Sequence, residues 1–223
     1  MKNFFLLILS FCLWTSVSFS QKGWTVNDKF TIGHSWTNGY KPANYNYKFH
    51  PLVQVGRQAI YNFSDHAGLG FGTFFSTEGV TLVNKTEKLT NDARMNYIRI
   101  PIFANIVFGD ADRKVRPRIS LGPSVGFLVG GKSLIENKDN ILLGKKSKKL
   151  LDTKTDIGAL VSIGFNTQLT EGITINHDIG YYHGFTSNKA ENEHFTHRNL
   201  GLSVGMAINS DAIKKFKAGM HRK

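Results

Sequence analysis

Cysteine is nearly missing from this chain. Cys12 is the only one in 223 residues, and it lies inside an apolar N-terminal stretch. Phe11 precedes it, where a lipoprotein site would need a small residue. Residues 21–223 therefore have no thiol for a disulfide, a cysteine metal site or a nucleophile. Acidic residues are also scarce, 16 against 28 lysines and arginines, which gives a formal net charge of +12. No run of about 18 apolar residues follows the N-terminal stretch, so no transmembrane helix is expected. No HExxH zinc motif and no serine motif of the G-x-S-x-G kind are expected. His194 and His197 stand three apart without a third metal ligand in view. No catalytic residue, cofactor or metal site is therefore expected, and the chain reads as non-enzymatic.

What is present begins with an export signal. Lys2 is its basic start, residues 4–17 are its apolar segment, and Ser18-Phe19-Ser20 places small residues for cleavage before Gln21. Residues 4–19 are short for a membrane anchor. Export also argues against a nucleic-acid partner, and no recognition motif accompanies the positive charge.

The dominant pattern is a period of two. From Ile157, alternate residues Ala159, Val161, Ile163 and Phe165 are apolar, while Gly158, Leu160, Ser162, Gly164 and Asn166 between them are mostly small or polar. After Thr170-Glu171-Gly172 the pattern resumes with Ile173, Ile175, Ile179 and Tyr181 against Thr174, Asn176, Asp178 and Tyr182. Strands this long exceed the usual 5–6 residues of soluble sheets. They suit the roughly 9–11 tilted residues that cross a bilayer. The same reading gives strands at 30–36, 52–63, 67–76, 97–108, 116–130 and 195–208. In the second, Arg57 falls in register with Val53 and Val55, so a bulge is expected there.

The fold expected is all-β: an eight-stranded antiparallel transmembrane β-barrel with short periplasmic turns and longer external loops at 37–49, 77–96, 131–155 and 186–194, the second with room for strand extensions through Val80 to Val83. Its parts are a signal peptide (1–20), the outer-membrane β-barrel (21–209) and a basic periplasmic tail (210–223). A soluble lipocalin-type barrel would turn its apolar face inward and its glycines toward water. Ten or more glycines opposite the Ile, Leu and Val face fit a narrow bore instead.

Tyr97, Arg99, Asn105, Arg116, Arg118, Asp156, Asn166, Asn176, Asp178 and Tyr182 fall on the inward face and are expected to form a polar network filling the barrel. Such a filled bore makes an open pore improbable. His177 and His183 share the lipid-facing register, His183 beside Tyr181 and Phe185 in an outer aromatic belt. Seven lysines in residues 131–155, with Lys145, Lys146, Lys148 and Lys149 close together, are expected at an anionic surface of lipid head groups or polysaccharide. Outer-membrane lipid and an envelope protein are the partners expected.

Four segments carry a family resemblance over about residues 50–209. Asn96-Tyr97-Ile98-Arg99-Ile100-Pro101-Ile102 resembles the "YLEIPLL" strand of the PorT-like outer-membrane β-barrel proteins. Arg118-Ile119-Ser120-Leu121-Gly122-Pro123-Ser124-Val125-Gly126 is similar to their "GP…G" strand. Asp156-Ile157-Gly158 and Arg198-Asn199-Leu200-Gly201-Leu202-Ser203-Val204-Gly205 resemble the closing strands. Arg99 departs from the family, which often has Glu there, and so does the basic tail past the last strand. The resemblance implies a bacterial outer-membrane location and a scaffold, adhesin or assembly role, including one beside the type IX secretion machinery. A small porin-like channel is the alternative reading, and a lipid-modifying enzyme ranks below it.

Overall fold

Among the described residues, alternation becomes ten strands: β1 (Trp24–Asn38), β2 (Tyr45–Lys48), β3 (Pro51–Asn62), β4 (Ala67–Asn84), β5 (Leu89–Val107), β6 (Val115–Asn137), β7 (Thr155–Thr170), β8 (Ile173–Gly184), β9 (Asn188–Ala190) and β10 (Glu193–Asn209). The computed structural model describes residues 23–39, 44–86, 89–137, 154–170, 172–190 and 193–209. The signal segment, the Lys145–Lys149 group and the tail lie outside the described residues. The eight long strands pair antiparallel in the order β1-β3-β4-β5-β6-β7-β8-β10, and β1 also pairs with β10, which closes the ring. The short β2 and β9 add to β4 and β10.

Burial decides which way the wall faces. Ile163, Leu202 and Ile179 are 61%, 60% and 59% exposed, whereas Ser35, Asp156 and Arg118 are 0%, 0% and 2% exposed. Apolar side chains outside and polar ones inside are the arrangement of a membrane barrel. Aromatic rings mark both rims of the apolar band. At the short-turn end, Trp24 lies 5.3 Å from Tyr61 and 6.2 Å from Phe71, centroid to centroid. At the other end His34 stacks on Trp36 and Phe49, Trp36 approaches Tyr181, and His183 lies between Tyr181 and Phe185.

Three sequence expectations are corrected. Residues 77–96 are mostly ladder rather than loop: β4 and β5 stay paired to Asn84↔Leu89, and β6 follows β5 to Asn137. Strands of 18, 19 and 23 residues overshoot a bilayer, so with β2 they project as an external sheet. The first strand begins at Trp24, because residues 24–29 pair with β3 and β10 instead of leading in. No bulge occurs at Arg57; the β1–β3 and β3–β4 registers run unbroken past it. The irregularities lie at Asn96/Tyr97 and Gln168/Thr170. Pro101 and Pro123 sit within the ring, and the β5–β6 ladder is interrupted between Pro101↔Ser124 and Ala104↔Leu121, where proline donates no hydrogen bond.

Candidate functional site

Two stacked ion clusters cross the bore, each built over a glycine. In the ladder, Arg99 on β5 faces Gly126 on β6, which faces Asp156 on β7. Arg118 on β6 faces Gly164 on β7, which faces Asp178 on β8. With no side chain on the middle strand, each guanidinium reaches the carboxylate two strands away.

In the outer cluster, Arg99 Nη2 donates to Glu78 Oε2 at 2.6 Å and to Asp156 Oδ2 at 2.8 Å, and Arg99 Nε also donates to Glu78. Ser76 Oγ donates to Glu78 at 2.5 Å, and the Tyr182 hydroxyl donates to Asp156 at 2.8 Å. The guanidinium lies 4.0 Å from the Tyr182 ring centroid and 4.9 Å from that of Tyr97. Above it, Met95, Tyr97, Phe195 and Leu128 form an apolar plug, and Tyr97 Oη bonds His197 Nε2 at 3.1 Å. One cation here meets two carboxylates.

The cluster nearer the short turns has the opposite balance. Arg118 donates from Nε and Nη2 to the two Asp178 oxygens at 2.8 and 2.5 Å, and Lys29 Nζ lies 2.8 Å from Asp178 Oδ2. Between the clusters is a cavity of about 100 Å³ whose lining includes Lys29, Phe74, Arg99, Phe103, Arg118 and Tyr182.

Arg99, Asp156, Tyr97 and Tyr182 meet in the outer cluster; Arg118 and Asp178 meet in the other. Asn105 stands apart, accepting from Ser120 at 3.1 Å, and Asn166 faces Asn176 across β7–β8. Arg116 takes no part, since its Nη2 donates to the Asp65 and Gly109 carbonyls at the turns. Glu78 and Lys29 carried no sequence expectation. Extending the inward register past Phe74 and Ser76 reaches Glu78, and extending it back from Thr31 reaches Lys29. Gly122-Pro123-Ser124-Val125-Gly126 does spell G-x-S-x-G. It runs along mid-strand β6 rather than a strand-to-helix turn, Ser124 is buried, and among the described residues no histidine lines the cavity beside it.

The external sheet has a polar clasp of its own. His50, fully buried, donates from Nδ1 to Asp92 Oδ1 at 3.0 Å, and Thr81 Oγ1 donates to the same oxygen at 2.8 Å. The hydrogen bond from His50 holds the Asp92 carboxyl below its ordinary range, against its partial burial. A depressed folded value means the stabilisation is present above the unfolded pKa of about 3.9 and is lost as pH falls through the folded one. Amide protection in β2 and the outer part of β4 is thus expected to drop in acid below about pH 4. Asp92→Asn should remove that dependence. Unchanged protection in the wild type at the lowest pH would contradict it.

A family model and one solved structure agree with this architecture, and two further structures are similar in part. The family model described as "Outer membrane protein beta-barrel domain" matches residues 19–190. The crystal structure of Neisserial surface protein A is 16% identical, with 84% of this chain and 97% of that chain covered and a TM-score of 0.51. OprG from Pseudomonas aeruginosa is 12% identical over 85% and 99% of the two chains, with a TM-score of 0.48. Outer membrane protein W of E. coli is 16% identical over 84% and 98%, with a TM-score of 0.43. No curated protein matches the chain.

Proposed function

The chain belongs to the outer membrane protein beta-barrel domain family, whose name places it in the bacterial outer membrane, and from that premise we propose that it is a non-conducting, non-enzymatic barrel that works by binding. The observation that carries this is the pair of buried ion clusters across the bore, Arg99–Glu78–Asp156 under an aromatic plug and Arg118–Asp178–Lys29 below. Ions do not pass a channel whose cross-section is filled by paired charges held strand to strand. The part offered to other molecules is the external sheet of β2, β4, β5 and β6. A scaffold, adhesin or assembly factor is the role such a platform serves. The PorT-like segments favour assembly beside the type IX secretion machinery. Lys145, Lys146, Lys148 and Lys149, between β6 and β7, would add contact with anionic sugars and phosphates, screened over about 8 Å at physiological salt.

Two measurements test this reading. In planar bilayers the purified barrel is expected to give no unitary conductance steps; regular steps would replace the scaffold with the porin-like channel. Affinity capture from native-detergent membranes is expected to recover an envelope protein, and to lose it when residues 79–94 are replaced by a tight turn. Equal recovery with the shortened hairpin would move the binding role off the external sheet.

A further inference from the structure

Among the described residues, the apolar outer wall carries one bidentate charged pair. Asp28 on β1 and Arg57 on β3 are direct ladder partners, and Arg57 Nε and Nη2 donate to the two Asp28 oxygens at 2.6 and 2.8 Å. Their side chains point away from the bore, 59% and 34% exposed. Exposed Val26, Phe30, Val55, Phe71, Val204 and Met206 lie around them, and the exposed Thr73 is the ladder partner of Arg57 on β4. Arg57 stands four residues from Tyr61 of the lower aromatic belt. At about 3.4 Å per residue and a tilt near 40°, that is roughly 10 Å into an apolar band about 25 Å tall. A lone arginine could extend toward the head groups; here the guanidinium is held sideways by the next strand.

Lipid chains offer such a pair nothing, and charges at this depth on a lipid-facing wall are costly. A third polar misfit lies in the same sector. His177 on β8 is exposed, its ladder partner on β10 is Val204, and Val204 faces Phe30 on β1. The opposite wall, by contrast, presents Ile100, Ile102, Ile106, Leu121, Phe127 and Val129.

We propose that the β8–β10–β1–β3 sector is an intramembrane docking face for a second copy of this chain. The charge pattern argues for a copy. A twofold axis normal to the membrane, passing between β1 and β3, sets Asp28 of each copy against Arg57 of the other. Two ion pairs then become an alternating ring of four charges shielded from lipid. A foreign partner would need its own acid and base at the same depth, whereas a copy has them by symmetry.

Cysteine chemistry tests this cleanly, because residues 21–223 contain none. Val55→Cys lies on the proposed face close to the axis, and Leu121→Cys lies on the opposite wall. Both are oxidised in intact outer membranes, with heat-modifiable migration confirming the fold. Val55→Cys is expected to give at least ten-fold more covalent dimer, at twice the monomer mass. Adding Arg57→Gln should reduce the dimer at least three-fold, and the exchange of Asp28→Arg with Arg57→Asp should restore it. The proposal is overturned by monomer alone from Val55→Cys, by equal dimer from both walls, or by an adduct of another mass. A dimer unaffected by Arg57→Gln overturns it as well.

Discussion

Arg99→Met is expected to destabilise the folded barrel by about 3–5 kcal/mol, the cost of removing one partner from a buried ion pair. Arg99 is 3% exposed, and Glu78 and Asp156 are wholly buried, so solvent screens little of this interaction. The native cluster already holds one more carboxylate than cations. Without the guanidinium, two carboxylates share a low-dielectric bore with only the Ser76 and Tyr182 hydroxyls to stabilise them. Methionine also loses the stacking over Tyr182. Urea unfolding in lipid vesicles, followed by the fluorescence of Trp24 and Trp36, measures the loss. The triple variant Arg99→Met, Glu78→Gln, Asp156→Asn should recover a large part of it, because no unpaired charge remains buried. A single variant within about 1 kcal/mol of wild type, the range of an exposed pair, would show that water reaches the cluster.

That cluster was partly legible from the sequence, and the boundary of legibility has a physical cause. Lipid enforces a period of two only where it touches the wall. Arg99, Asp156 and Tyr182 lie within that band, so alternation with Ile98, Ile100 and Ile157 marks them as inward. Above the band the ladder continues on backbone hydrogen bonds, and Val80, Thr81, Leu82 and Val83 follow one another without alternation. Glu78 sits at that transition, where the pattern fades although the register persists. Arg57 fails differently. It broke the expected alternation and suggested a bulge, yet the register is regular and the charge does face outward. Its answer is Asp28, on a neighbouring strand 29 residues away. Periodicity within one strand carries no trace of a cross-strand partner. The same holds for the pairing inside the bore: which guanidinium meets which carboxylate depends on the ring's register and on the glycine lying between them.

Of the two intervening glycines, Gly164 is held far more tightly than Gly126. Gly164→Ala is expected to cost about 3 kcal/mol, at the upper end for overpacking. A Cβ there would lie 1.9 Å from the His177 carbonyl oxygen, 2.4 Å from Asp178 Oδ1 and 2.8 Å from Asp178 Cα. Two of those atoms are backbone of the paired strand, so relief requires β7 and β8 to separate. The third is the oxygen that accepts from Arg118 Nε, so the methyl group also pushes the carboxylate off its guanidinium. Gly180 provides the control on the same inward face. A Cβ at Gly180 meets only Ser162 Cβ at 3.7 Å and the Val161 oxygen at 3.9 Å, ordinary contacts. Since glycine in a strand is about 0.5–1 kcal/mol worse than alanine, Gly180→Ala should be neutral to slightly stabilising. Vesicle unfolding of the two variants side by side measures the contrast, with opposite signs expected from one chemical change. Comparable losses at both positions would mean that the bore tolerates no methyl group anywhere, and the bridging role of Gly164 would fall.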